Sequence, residues 1–235
     1  CMIKNIVNLG DAAVYCDFGE EVNKNINLNV IKYFRTLKEK KLKGITNLAP
    51  SYNKLIITYD LNETTFIELK NKILNLNIED KFINQSSKIS IPICCEDEYA
   101  LDIQRLQNKL DKTKSDIIKI FVNKRYFCYM TGFVAGMPFL GDIDKNLHAK
   151  RLETPRVKVP RGSIGLTEQF CNIYTFESPG GWNIIGNTPL NVFDSLNEDY
   201  PNLINPGDTV NFIKINKEKY KNYNEWKFFQ GYKSW

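Results

Sequence analysis

Gly132-Phe-Val-Ala-Gly-Met-Pro-Phe-Leu-Gly141, Thr154-Pro-Arg-Val-Lys-Val-Pro-Arg-Gly-Ser163 and Ser178-Pro-Gly-Gly-Trp182 crowd turn residues into one part of the chain. Glycine reaches backbone angles that strain other residues, and proline fixes φ. Short apolar segments flanked by Gly, Pro, Asn or Asp lie around and between these runs. They predict strands at 125–131, 158–160, 163–166, 171–176, 182–186, 191–193 and 209–214, with a turn at Pro206-Gly207-Asp208 before the last. Strands this short and this regularly spaced predict a closed or nearly closed barrel. The three runs read as loops on that scaffold, where binding and catalysis concentrate. Tight turns in an ordinary barrel explain them equally well from spacing alone.

Upstream the pattern changes. Residues 3–9 and 12–18 read as two strands joined by Gly10-Asp11. Residues 21–40 place Val22, Ile26, Val30, Ile31, Phe34 and Leu37 at helical spacing. Strands follow at 45–50 and 54–59. Thr64-Thr65-Phe66-Ile67-Glu68 offers a threonine N-cap for a helix running to about Leu76, with Phe66, Leu69, Ile73 and Leu76 inward. Two helices over an antiparallel sheet predict a small α/β sandwich at 1–86. Residues 80–88 read as a polar linker, and the barrel domain occupies 87–235. That domain opens with a strand at 89–94, a short helix at 102–109 and a helix from Thr113 whose apolar face is Ile117, Ile118, Phe121 and Val122. The fold class is α+β. The tail, 217–235, mixes Lys with Tyr, Trp and Phe, and suits packing on the barrel or docking on a partner.

With 235 residues, 43% hydrophobic and 12% aromatic, the chain can bury a substantial core. The net charge of +5 is spread along the chain and does not point to nucleic acid. No run of about 18 apolar residues predicts a membrane helix, and no signal-peptide pattern opens the chain. Cys1 precedes Met2 and reads as lying outside the fold. The six cysteines form no CxxC pair, so they read as reduced thiols in a cytoplasmic protein. A single histidine, His148, rules out a zinc site built on several histidines, and no metal site is expected. His148 lies in a Lys/Asn-rich loop with no serine nearby in sequence, and reads as solvated. Chemistry here must lean on carboxylates, Lys/Arg, hydroxyls and backbone amides.

Arg151, Arg156, Lys158 and Arg161 surround two prolines that pre-set the backbone. Arginine grips carboxylate or phosphate through a planar fork, so the cluster suggests an anion site; a solvated basic loop is the plain alternative. Arg156 and Lys158 are the candidate anion binders. Gly162 and Ser163 could add an amide and a hydroxyl beside them. Gly180 and Gly181 permit close approach of a ligand, Tyr174 and Trp182 are candidate walls, and Glu177 is a candidate acid/base; a hairpin with a core tryptophan is the competing reading. Neither a P-loop nor a GxGxxG run is present.

The three blocks resemble those of the 5-oxoprolinase B-subunit family, also described as KipI or allophanate hydrolase subunit 1. The residues carrying the likeness are Gly132-Phe133, Gly136, Pro138 and Leu140-Gly141; Thr154-Pro155-Arg156, Val159-Pro160 and Gly162-Ser163-Ile164-Gly165; and Ile173-Tyr174, Pro179-Gly180-Gly181-Trp182, Ile185-Gly186 and Thr188-Pro189. Upstream, Gly10-Asp11-Ala12-Ala13, Phe18-Gly19, Pro50-Ser51-Tyr52, Tyr59-Asp60 and Ile91-Pro92-Ile93 extend it along nearly the whole chain. The resemblance implies an α+β N-terminal domain followed by a cyclophilin-like β-barrel. It implies one subunit of an ATP-dependent enzyme that opens 5-oxoproline to glutamate. That enzyme is built from this B subunit with a homologous C subunit and a separate A subunit, and ATP and magnesium are used in the assembled complex. Gly132, Phe133, Gly136 and Pro138 join the expected substrate or nucleotide contacts on the same basis. Allophanate hydrolysis and inhibition of a sensor histidine kinase are the other activities the resemblance allows. The chain departs from the usual blocks at Ala135, Met137, Cys171, Asn172 and Asn187, and Phe121 stands where the family commonly has histidine.

Overall fold

Alternation decides the first sheet. Along Lys54–Tyr59 every second residue is buried, and Leu55, Ile57 and Tyr59 all point to one side. Asn5–Asn8 (β1), Ala13–Asp17 (β2), Ile45–Pro50 (β3) and Lys54–Tyr59 (β4) pair antiparallel in the order β1-β2-β4-β3. The computed structural model describes residues 2–78, 86–197 and 199–223. Two units divide the chain, Cys1–Ser87 and Lys88–Trp235.

In the first unit, helices Lys24–Lys40 (α1) and Phe66–Leu74 (α2) share a core with the buried side of the sheet. Val30, Leu37, Leu69 and Ile73 are at most 1% exposed, and full burial of each such side chain stabilises by roughly 1.5–3 kcal/mol. Helix α1 starts at Lys24 because Asn23 caps it, Oδ1 accepting from Ile26 N–H at 3.0 Å. Its buried stripe includes Asn27, whose amide donates to the carbonyls of Ser51 and Tyr52 at 3.0 and 2.8 Å. Helix α2 opens with a capping box between Thr65 and Glu68. Thr65 is therefore the cap, and these hydrogen bonds hold the Glu68 carboxyl below its usual range, the Thr65 N–H contributing most.

The second unit is a seven-stranded closed barrel. Its strands are Lys88–Cys94 (β5), Arg125–Thr131 (β6), Pro138–Gly141 (β7), Ser163–Leu166 (β9), Phe170–Ile173 (β10), Asn183–Asn187 (β12) and Thr209–Ile215 (β13). They close in the order β10-β7-β6-β13-β5-β12-β9, with β10 paired back to β9. All pairs are antiparallel except β13, which runs parallel to β5 from Thr209↔Lys88 to Ile215↔Cys94. Arg156–Val159 (β8) and Ser178–Gly180 (β11) form a separate two-stranded ribbon. Helices Ile103–Leu110 (α3) and Lys114–Val122 (α4) follow β5, and a short helix, Lys217–Lys221 (α5), follows β13. Phe121 of α4 is fully buried against Tyr126 and Phe212, with ring centroids 5.1 and 4.8 Å away. It plugs the core, so this position does no polar chemistry.

Several expected boundaries move. Pro138–Gly141 and Ser178–Gly180 are strands although their residues read as loops, because backbone pairing to β6 and β8 outweighs their Gly and Pro content. Residues 191–193 form no strand; Phe193 makes one isolated bridge to Asn202. The expected strand at 171–176 ends at Ile173. The Pro206-Gly207-Asp208 turn is present, with Gly207 at φ +96° and Asp208 accepting from Asn205 N–H at 2.8 Å. Much of the expected linker, and the tail from 224, lie outside the described residues. No described helix is long and apolar enough to cross a membrane.

Candidate active site

The β8–β11 ribbon brings the middle and last glycine-rich blocks together. Ser178 pairs with Val159 and Gly180 with Arg156. Val159 packs with Met137, Tyr174 and Ile184 in a small core of its own, with Val134 and Phe139 alongside. Trp182 is half-buried, its ring edge-on to Phe139 at 5.6 Å. Tyr174 lies beneath the ribbon at 2% exposure. A Cβ on Gly180 would fall 2.1 Å from the Tyr174 hydroxyl, so glycine here admits the phenol rather than a ligand. Burial pushes the Tyr174 hydroxyl pKa up, while Asn172 and the charges of Arg151 and Arg156 pull it back.

Arg156 is already engaged. Its two terminal nitrogens donate to the Asp102 carboxylate at 2.9 and 2.6 Å, a bidentate fork. Asp102 is 4% exposed and also accepts from Ile184 N–H at 2.7 Å. The guanidinium expected to receive a ligand anion therefore neutralises a buried carboxylate. Lys158 pairs with Glu177 at 3.1 Å on the outer side of the ribbon, at 75% and 55% exposure. So open a pair contributes little to stability and leaves both groups accessible.

Asp102 and Arg105, both at the start of α3, tie this region together. The Arg105 guanidinium donates to Asn183 Oδ1 and reaches the carbonyls of Lys150 and Arg151 at 3.5 Å. Asn183 in turn donates to the carbonyls of Lys150 and Leu166. Asp102 and Arg105 lie outside the glycine-rich blocks, and Asn183 directly follows Trp182. The only signal in the sequence is that they are polar residues beside apolar ones within predicted elements.

The remaining expected residues fall around this cluster. Gly162, at φ +80°, leaves room for the Thr188 carbonyl, which would lie 2.4 Å from an added Cβ. Ser163 is 1% exposed, and its hydroxyl accepts from Asn187 at 3.4 Å. The hydroxyl expected to face a ligand points into the protein instead. Asn187 also donates to the Arg161 carbonyl at 2.9 Å and accepts from the Tyr220 hydroxyl of α5 at 2.8 Å. Gly132 borders Met130, and Gly136, at φ +67°, lies against Phe193. Phe133 is 73% exposed at φ +70°, a conformation bulky residues rarely adopt. Pro138 is buried at the start of β7. The loop bearing Phe133 is joined to the Tyr174 region by Thr175, which donates to the Ala135 carbonyl at 2.7 Å. His148 is exposed, with Nε2 3.3 Å from the Ile143 carbonyl. The described cysteines, Cys16, Cys94, Cys95, Cys128 and Cys171, are free and buried. Burial pushes the thiols of Cys16 and Cys95 up to about 12, which keeps them inert. Among the described residues no group of three or more His, Cys, Asp or Glu could hold a metal ion.

Residues 4–204 match the model of the carboxyltransferase domain, subdomain C and D. The 5-oxoprolinase B subunit of Bacillus subtilis is 32% identical, the alignment covering 94% of this chain and 96% of that protein. A protein of the same name from Haemophilus influenzae is 33% identical over 89% of this chain and 97% of its own. Urea amidolyase from Saccharomyces cerevisiae is 23% identical over 89% of this chain, but only 13% of that much longer protein is covered. Among solved structures, TTHA0988 superposes with a TM-score of 0.79 at 26% identity, over 86% of this chain. The chain spans 40% of that longer protein. A conserved uncharacterized protein from Pyrococcus horikoshii, 30% identical, is covered along its whole length with a TM-score of 0.55.

Proposed function

The chain belongs to the family of carboxyltransferase domains, subdomain C and D, and from that premise we propose that it is the B subunit of an ATP-dependent 5-oxoprolinase. The observation that carries this reading is the near end-to-end match to proteins of that name, at 32% and 33% identity. The reaction is the opening of 5-oxo-L-proline to L-glutamate with hydrolysis of ATP. The chain acts with a homologous C subunit and a separate A subunit, and ATP with magnesium is taken up by the assembly.

The site geometry supports a binding and positioning share of that chemistry. Lys158 on β8 and Glu177 just before β11 are exposed, and the half-buried Trp182 follows β11 in sequence. Positive charge held in place suits a carboxylate substrate and the charge that develops when a lactam oxygen is phosphorylated.

The test is ATP-dependent release of glutamate from 5-oxoproline, by this chain alone and after mixing with the A and C subunits encoded in the same genome. Release only from the full mixture is expected. A well-formed complex that cleaves allophanate and leaves 5-oxoproline intact would refute the substrate assignment, and the urea amidolyase likeness makes allophanate the first alternative to assay.

A further inference from the structure

Four cationic side chains surround the ribbon, and their surroundings separate them. Arg156 is neutralised by Asp102 at 2.6 Å, and Lys158 faces Glu177. Arg161 donates to Asn191 Oδ1 at 2.9 Å. The side chain of Arg151 is exposed and makes no ion pair or hydrogen bond among the described residues.

Its backbone, by contrast, is fixed on both sides. The Arg151 carbonyl lies 3.5 Å from the Arg105 guanidinium. The next N–H, of Leu152, donates to the Gly181 carbonyl at 2.7 Å. Arg151 Nε lies 3.7 Å from where a Gly181 Cβ would stand, with no closer atom on that side than Pro155 at 3.5 Å. An added methyl would meet ordinary contact there, so this glycine leaves room beside the guanidinium. A cation whose backbone is already ordered gives up less entropy when it takes a ligand than one on a free loop.

We propose that Arg151, rather than Arg156, is the anion-receiving residue of this site, and that its ligand is a small molecule bearing a carboxylate. This rests on the 5-oxoprolinase reading, since 5-oxoproline carries a carboxylate. Arg156 then supports the ribbon from behind through Asp102.

Two arms test it. In the assembled enzyme, Arg151→Ala is expected to raise the KM for 5-oxoproline about tenfold, the loss of one charge-assisted contact at an exposed side chain, with kcat within about twofold. Lys150→Ala removes the same charge one residue away and leaves KM unchanged. An unchanged KM in Arg151→Ala overturns the proposal. In the full chain alone, the Arg151 Nε–Hε resonance is followed during titration with 5-oxoproline, 2-pyrrolidinone (the lactam without its carboxylate) and inorganic phosphate. A shift with 5-oxoproline and none with 2-pyrrolidinone supports it. No shift, or a shift with phosphate alone, overturns it. An assembly that does not turn over 5-oxoproline refutes the proposed function, and the titration still decides the role of Arg151.

Discussion

Truncating Arg156 to alanine isolates the buried half of its ion pair. Two charge-assisted hydrogen bonds to Asp102, at 2.9 and 2.6 Å, are lost, and the carboxylate keeps only the Ile184 N–H at 2.7 Å. Removing one partner of a buried pair costs about 3–5 kcal/mol. The Arg156 side chain is 29% exposed, so water can enter the vacated space and solvate part of the stranded charge. The low end, about 3 kcal/mol, is therefore expected. For a unit of this size that lowers Tm by about 6–12 °C. Arg156→Lys keeps the charge but loses the fork and should cost about half as much. Asp102→Asn combined with Arg156→Ala removes the stranded charge, so the double mutant should be more stable than the Arg156→Ala single mutant. Scanning calorimetry on these proteins, with the Asp102→Asn single mutant completing the cycle, gives the coupling. If Arg156→Ala melts within about 1 °C of the unaltered chain while the assembled enzyme's KM rises, the guanidinium is a ligand receptor and the structural assignment is wrong.

Two further outcomes follow from local geometry. Gly180→Ala forces a methyl to within 2.1 Å of the Tyr174 hydroxyl; it should destabilise by about 1–3 kcal/mol in urea unfolding, and adding Tyr174→Phe should recover part of that. In the N-terminal unit, the Asp17 carboxyl is held below its ordinary pKa, chiefly by its hydrogen bond to Lys54 at 2.6 Å. Because the folded pKa is the lower one, the stabilisation is fully present above the unfolded value of about 3.9 and is lost as pH falls below it; urea midpoints between pH 2 and 6 should show that acid limb flattened in Lys54→Met.

Sequence legibility tracks how locally each element is determined. Strands at 54–59, 125–131 and 163–166 have the bounds their patterning predicts, because alternation or a continuous apolar run specifies them without distant help; the strand at 45–50 also has its expected bounds. The capping box of α2 is equally local. Pro138–Gly141 and Ser178–Gly180 are not legible, since partners elsewhere in the chain supply the ladder that their own residues discourage. The site divides the same way. The blocks locate the ribbon, but residue types cannot tell a paired arginine from an unpaired one. That distinction depends on Asp102, which lies 54 positions before Arg156. The burial of Ser163 likewise depends on Asn187, 24 positions on.

The parallel pairing of β13 with β5 sets an order of events during synthesis. The first barrel strand leaves the ribosome early, yet its long neighbour begins at Thr209, 121 positions after Lys88. Until then β5 carries an open edge and an apolar face, and no local hairpin can satisfy them. The N-terminal sheet needs nothing beyond Tyr59 to complete its strands. One half of the chain can therefore mature while the other waits, and closure of the ring is the slow, long-range step. A ribosome stalled anywhere between these two strands exposes the sticky edge for as long as the stall lasts, which makes the second half of this gene the stretch where translation speed matters to yield.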